Sequence, residues 1–307
     1  ILDKISTGGQ ISPGLNVEFW KNKEELYEKI DEHLFKLIRD NLSGTEHSDN
    51  MDKVEGLNIL FGLYPNGHVK QNFKETLKLD SLQILSPYRA GYFGTLVINE
   101  FVKFEYRKEH FADRFRFSSS AFNHADKIIR ISNEYIYERG IKRLRLSNGS
   151  IGVVNNKKDR YYGRGFFRRL FFLDQEAPID VFSTLDEDNY ELAYAITVHK
   201  SQGSDFEDVF IVIPQKSTLL SRELMYTALT RSRYRVSLFV QKTEDINPLE
   251  IARGRSSVLA RNTSIFEAPE DYKGIYEPER GVYVRSKIEY ILYRALKSAG
   301  VKFKYER

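Results

Sequence analysis

Apolar residues recur along this chain at two spacings. Between Ala193 and Val240, short runs rich in β-branched residues fall at 193–197, 209–213 and 236–240. A polar His-Lys-Ser-Gln-Gly segment separates the first two, and a helix-length stretch ending in Thr230-Arg-Ser-Arg separates the last two. Short continuous apolar runs with a helical crossover predict buried parallel strands of an α/β sheet. Upstream, 17–20 reads as a strand. Leu26, Ile30, Leu34, Leu37 and Ile38 then line one face of a helix, opened by Asn22 with Glu25 three residues later. A further apolar run at 82–86 leads into the glycine-bearing loop from Pro87 to Thr95, and helical spacing resumes at Leu96, Ile98, Asn99, Val102 and Phe104.

The period changes between 126 and 184. Strand-like runs at 127–131, 144–146, 151–154 and 166–173 follow closely on one another, and Asn148-Gly149 signals a turn. Closely spaced short strands of this kind build small barrels. Inside this region Lys157, Lys158, Arg160, Arg164, Arg168 and Arg169 alternate with Tyr161, Tyr162, Phe166 and Phe167. Cations attract phosphates and aromatic faces stack on bases, so the stretch fits a single-strand grip. It equally fits barrel core with a solvated basic face. Residues 41–55 read as a polar loop, and 242–282, with Pro248, Pro269 and Pro278, as a linker with some short elements. From 284 on, Ile288, Ile291, Leu292, Ala295, Leu296 and Ala299 share a helical face that Gly300 ends.

The 307 residues suffice for two or three compact units. A net charge of only +4 means that any nucleic-acid surface must be a local patch. No cysteine is present and the six histidines lack ligand spacing, which excludes disulfide and thiolate-metal frameworks. No apolar run reaches transmembrane length and no signal pattern opens the chain, so no membrane partner and a cytoplasmic location are expected. The phosphate-cradling pattern G-x-x-x-x-G-K-[ST] does not occur.

The blocks Thr197-Val-His-Lys-Ser-Gln-Gly-Ser-Asp-Phe and Tyr226-Thr-Ala-Leu-Thr-Arg-Ser-Arg resemble motifs V and VI of superfamily 1 DNA helicases of the RecD-like and UvrD-like branch. The 82–104 region resembles motif IV. The resemblance implies an α/β fold: a RecA-like parallel-sheet helicase domain 2A from 1–123 plus 185–247, with an SH3-like β-barrel (2B) inserted at 124–184. Asp126-Lys-Ile-Ile-Arg-Ile-Ser-Asn-Glu-Tyr and Leu146-Ser-Asn-Gly-Ser-Ile-Gly-Val-Val carry the barrel likeness, with Ala125 where the family often has glycine. A linker at 248–283 and a helical extension at 284–307 complete the expected order. The extension is similar to the start of PD-(D/E)XK nuclease-like domains, with Glu289 at the first acidic position, and equally reads as a plain amphipathic helix.

The resemblance implies ATP and Mg2+ as cofactors of a longer parent and none in the fragment alone. Its implied partners are single-stranded DNA or a duplex junction and an upstream P-loop motor domain of the same chain, expected to precede Ile1. Arg231 matches the arginine finger, a permanently charged fork suited to a γ-phosphate. Gln202, Gly203 and Asp205 match the rest of the ATP-facing set, with Asp205 where the family usually has glutamate. Thr197, His199 and Lys200 match residues that couple the ATP cleft to DNA, His199 reading equally as a structural histidine. Arg89, Gly94, Thr95 and Asn99, at a loop feeding a helix N-terminus, are candidate phosphate contacts, and so are Lys157, Lys158 and Arg160. Arg233 and Arg235 read as a solvated or DNA-facing basic cluster. Two other functions fit the same residues: a non-catalytic DNA-binding module of helicase shape, or the helicase half of a nuclease.

Overall fold

The computed structural model describes residues 9–12, 14–43, 52–112, 122–157, 167–181, 188–215, 219–242, 276–279, 282–284, 293–294 and 296–298. The chain forms two compact units, Ile1–Ser256 and Ser257–Arg307. Within the first unit the elements are, in order, β1 (Gly9–Ser12), β2 (Leu15–Trp20), α1 (Lys23–Leu42), α2 (Lys53–Leu60), α3 (Phe73–Thr76), β3 (Leu82–Ser86) and α4 (Thr95–Ala112). There follow β4 (Lys127–Arg130), β5 (Glu134–Glu138), β6 (Ile141–Leu146), β7 (Ile151–Lys157), β8 (Phe167–Phe172), β9 (Ile179–Val181) and β10 (Tyr190–Leu192). The unit closes with β11 (Ala195–Thr197), β12 (Phe206–Ile213), α5 (Arg222–Leu229) and β13 (Ser232–Gln241).

The larger sheet runs β1-β2-β13-β12-β3-β11, and all its pairs are parallel except β1 on β2. The three apolar runs that open the sequence pattern are β11, β12 and β13, so the parallel α/β core stands as expected. β3 is buried at every position, as a central parallel strand must be. α1 packs on β2 and β13 through Leu26, Ile30, Leu34, Leu37, Ile38 and Leu42. Its start is held by Asn22 Oδ1 accepting from Glu25 N, while Glu25 Oε2 accepts from Lys21 N. The polar loop expected over 41–55 is shorter, because α2 starts at Lys53 with Asp52 accepting from Val54 N at its cap.

The second sheet is antiparallel, in the order β10-β4-β7-β8-β9. Alternation along its strands decides its place. Ile129, Ile151, Val153 and Phe171 enter the main core, while Ile128, Val154, Leu170 and Phe172 form a second core with Phe122, Leu146, Ile179 and Tyr190. A period of two buries both faces, one against the α/β body. Among the described residues the sheet is open, with no pairing between β9 and β10. It also reaches Leu192, beyond the expected boundary at 184, because β10 pairs with β4.

Asn148-Gly149 is a turn with Gly149 at φ +99, but it joins strands of different sheets. The hairpin lies one connection earlier, between β5 and β6, where Arg139 and Gly140 take φ +50 and +79. Two successive positive φ values are the signature of a tight hairpin turn. Ala125, at the position where glycine is often found in the family it resembles, has φ +63 and is wholly buried. That backbone is the reason a glycine suits the position.

The second unit has β14 (Tyr276–Glu279) paired antiparallel with β15 (Val282–Val284), and helical residues at 293–294 and 296–298. Part of the expected linker is thus a hairpin. Glu289 of the nuclease-like reading lies outside the described residues. Among the described residues no helix is long and apolar enough to cross a membrane.

Candidate functional site

The connection from β11 to β12 is a run of tight turns. Ser201 N donates to Thr197 O, Gln202 N to His199 O and Ser204 N to Ser201 O. Gly203 ends it at φ +86, with open space where a Cβ would stand. The left-handed backbone alone therefore calls for glycine here. His199, Gln202, Gly203 and Asp205 are exposed on this turn.

Arg231 follows α5, whose start is held by Ser221 Oγ accepting from Leu224 N. Its Nε donates to Thr227 O at 3.1 Å, Nη1 to Ser204 O at 2.9 Å and Nη2 to Thr230 Oγ1 at 3.2 Å. The guanidinium is thus tied to the last turn of α5 and to the residue just after the His-Lys-Ser-Gln-Gly turn. A guanidinium has five N–H groups; three are used in these bonds, which leaves two on a half-buried, partly solvent-facing group. Asp205 lies 3.5 Å from Arg233 Nε.

Arg233 and Arg235 are exposed, and each has a carboxylate partner. Arg233 pairs with Asp80, and Arg235 forks onto Asp208 at 2.6 and 2.9 Å. A bidentate guanidinium–carboxylate pair is among the strongest polar contacts available to a side chain. These two arginines brace the start of β13 against β12 and the turn before β3, and their charge is neutralised locally.

Four of the candidate DNA-facing residues converge. Arg89 from the loop after β3, Thr95 from the start of α4, Thr197 at the end of β11 and Lys200 from the turn line one small cleft with Glu191, Leu192, Ala195 and Ile196. Glu191 joins the cations: its Oε1 accepts from Arg89 Nη1 at 2.6 Å and its Oε2 from Lys200 Nζ at 2.8 Å. Burial pushes the Glu191 carboxyl up, yet the hydrogen bonds and charges of Lys200 and Arg89 outweigh it and hold the group below the usual carboxylate range.

Two of the candidate phosphate contacts at this loop, Gly94 and Asn99, have structural partners of their own. At the N-terminus of α4 three N–H groups are already engaged: Gly94 N donates to Gly91 O, Thr95 N to Tyr88 O and Leu96 N to Arg89 O. Gly94 serves that closure: a Cβ there would run into the carbonyls of Arg89 and Ala90. Asn99 is buried and fully engaged, donating to Leu192 O and Ala195 O and accepting from Ala195 N. It is a clasp on β11, with no capacity left for a phosphate.

Lys157 lies on β7 in register with Phe167, while Lys158 and Arg160 lie outside the described residues. Glu191 escaped the sequence reading because its two partners sit 102 and 9 residues away, at no helical or strand period.

Residues 192–239 match the UvrD-like helicase C-terminal domain family. The chain is 28% identical over 317 residues to an uncharacterized protein of Methanocaldococcus jannaschii, covering 94% of this chain and 26% of that protein. It is 28% identical over 188 residues to the ATP-dependent RecD2 DNA helicase of Deinococcus radiodurans, covering 61% of this chain and 23% of that helicase. Among solved structures, a Pif1 helicase described in DNA unwinding at forked duplex DNA aligns over 87% of this chain and 52% of its own, at 16% identity and a TM-score of 0.33. The chain spans about a quarter of the length of these two curated relatives.

Proposed function

We propose that this chain is the C-terminal motor domain of an ATP-dependent DNA helicase or translocase, supplying a guanidinium to a nucleotide held by a P-loop domain. The observation that carries this reading is the placement of Arg231. Its fork is fixed from behind by Thr227, Thr230 and Ser204, at the end of a turn on which His199, Gln202, Gly203 and Asp205 are exposed. A cation pre-set by its own domain costs no reorganisation when negative charge develops before it. The donor set suits a phosphate group, because the two remaining N–H groups are charged donors at a partly open edge. ATP with Mg2+ would supply the phosphoryl group; this chain's share is to hold the guanidinium, with Gln202 and Gly203 on the adjoining turn. Thr197 and Lys200 leave the same turn toward the cleft with Arg89, which links the nucleotide side to a track for single-stranded DNA. The inserted antiparallel sheet is read as the small 2B domain of such a motor.

With no G-x-x-x-x-G-K-[ST] in its 307 residues, the chain alone is expected not to turn over ATP. A second reading rests on the same guanidinium. Three of its N–H groups are satisfied within the domain, as they would be in a DNA-binding module where Arg231 only ties α5 to the turn. Arg231→Ala in the protein joined to its P-loop domain separates the two. In the motor, DNA-stimulated ATP hydrolysis falls by about 10³-fold or more, with nucleotide affinity within a few fold. Unchanged turnover removes Arg231 from the chemistry and leaves the module.

A further inference from the structure

Among the described residues, Glu191 is the one carboxylate lining the cleft formed by Arg89, Thr95, Thr197 and Lys200, and each of its two oxygens is bound to one of the two cations. Two charged donors converging on two oxygens of one anion is the geometry by which a phosphodiester is held. The carboxylate comes from β10, a strand of the antiparallel sheet, whereas Arg89 and Lys200 come from loops of the parallel sheet. Each cation still has unused N–H groups, but Glu191 neutralises their charge and holds the donors that converge on this seat, so a phosphate here competes with the carboxylate. We propose that Glu191 occupies the seat of a backbone phosphate, so that a nucleic-acid strand enters this cleft only by displacing its carboxylate from Arg89 and Lys200.

The inference rests on the proposed DNA-binding reading and adds a gate to it. Its physical content is a competition between two anions for the same donors. A strand gains the two cations and loses the internal pair, so the net gain from this seat is small while Glu191 is ionised. The exchange also has a structural side. Glu191 flanks Leu192, whose carbonyl is held by Asn99, so the residue that leaves the cations stands next to the clasp on β11. Displacement therefore releases a polar tie between the two sheets without breaking the backbone pairing of β10 with β4.

The test uses the whole chain and a fluorescently labelled oligothymidylate, with affinity read by anisotropy over a salt series. Glu191→Gln keeps the shape and removes the charge. It is expected to bind about tenfold more tightly, a change of about 1.4 kcal/mol. The slope of log affinity against log salt is expected to steepen by about 0.7, the value for one further phosphate on a single strand. Lys200→Ala in the Glu191→Gln background is expected to cancel most of that gain. Glu191→Asp, too short to reach both cations, should fall between wild type and Glu191→Gln, and serves the same purpose where the glutamine variant does not fold. Binding that is present but equal or weaker in the Glu191 variants, with an unchanged slope, overturns the gate and leaves Glu191 as a brace that aims the cations. Absence of oligothymidylate binding in every variant overturns the DNA-binding reading and the gate with it.

Discussion

Lys127 is a fully buried lysine in a strand that otherwise reads as plain core. Its Nζ donates to Leu82 O at 2.8 Å and Gln83 Oε1 at 3.0 Å, with the rings of Phe61 and Phe206 at 5.3 and 5.8 Å. Among the described residues no carboxylate comes within ion-pair reach of it. Burial drives its pKa down from 10.5 to about 7, opposed by the charge of Asp80. Between those two values the unfolded chain holds a proton that the folded chain has released, so stability rises with pH across that window. Below about 7 both states are charged and the burial cost is felt in full. The expected outcome is that wild type gains stability over Lys127→Met as pH is raised from 7 to 9.5, on the order of 1 kcal/mol per pH unit at most. Urea unfolding at several pH values reads it, and a constant difference between the two proteins would show that the amine keeps its proton in the fold.

At the scale of elements, Asn99 joins α4 to β11 through three backbone groups of the chain around 192–195. Asn99→Leu leaves those buried groups without a partner. It is expected to cost about 2–4 kcal/mol, seen as a lowered denaturant midpoint. A loss of DNA affinity with unaltered stability would instead return Asn99 to the role of a phosphate ligand. The elements legible in the sequence were those whose spacing names both a period and a face. α1 showed itself through Leu26, Ile30 and Leu34 with an Asn22 cap, and β12 and β13 through apolar runs too short for helices. Strand partnership was less legible, because alternation tells which side of a strand is buried and not which strand lies beside it. Asn148-Gly149 is thus a turn, as expected, while the strands it joins belong to different sheets. The tight hairpin between β5 and β6 turns on Arg139-Gly140, where an arginine takes a positive φ that its residue type does not advertise. Within the site, Arg231 was legible from a motif, whereas Glu191 and the partners of Arg233 and Arg235 come from long-range pairings that no local spacing encodes.

For the molecule as a whole, 47 basic and 43 acidic side chains leave little net field, and several cations near the site are already neutralised by Asp80, Asp208 and Glu191. Attraction for a strand then draws on further cations of the chain. Lys157, Lys158 and Arg160 are the candidates singled out by their alternation with aromatics. Replacing all three by Ala is expected to weaken oligothymidylate binding and to flatten its salt slope by up to about 2, some 0.7 for each phosphate that is no longer neutralised. An identical slope would make that stretch ordinary surface.

Trp20 is the sole tryptophan and stands at the end of β2, fully enclosed, edge-on to Tyr92 at 6.0 Å, its indole N–H without a hydrogen-bond partner among the described residues. The protein thereby contains its own optical gauge: a single emitter, shielded from water only while α1 and the parallel sheet remain together. Its colour should shift toward the red on unfolding, so loss of a variant's fold can be told apart from loss of its function without attaching any dye.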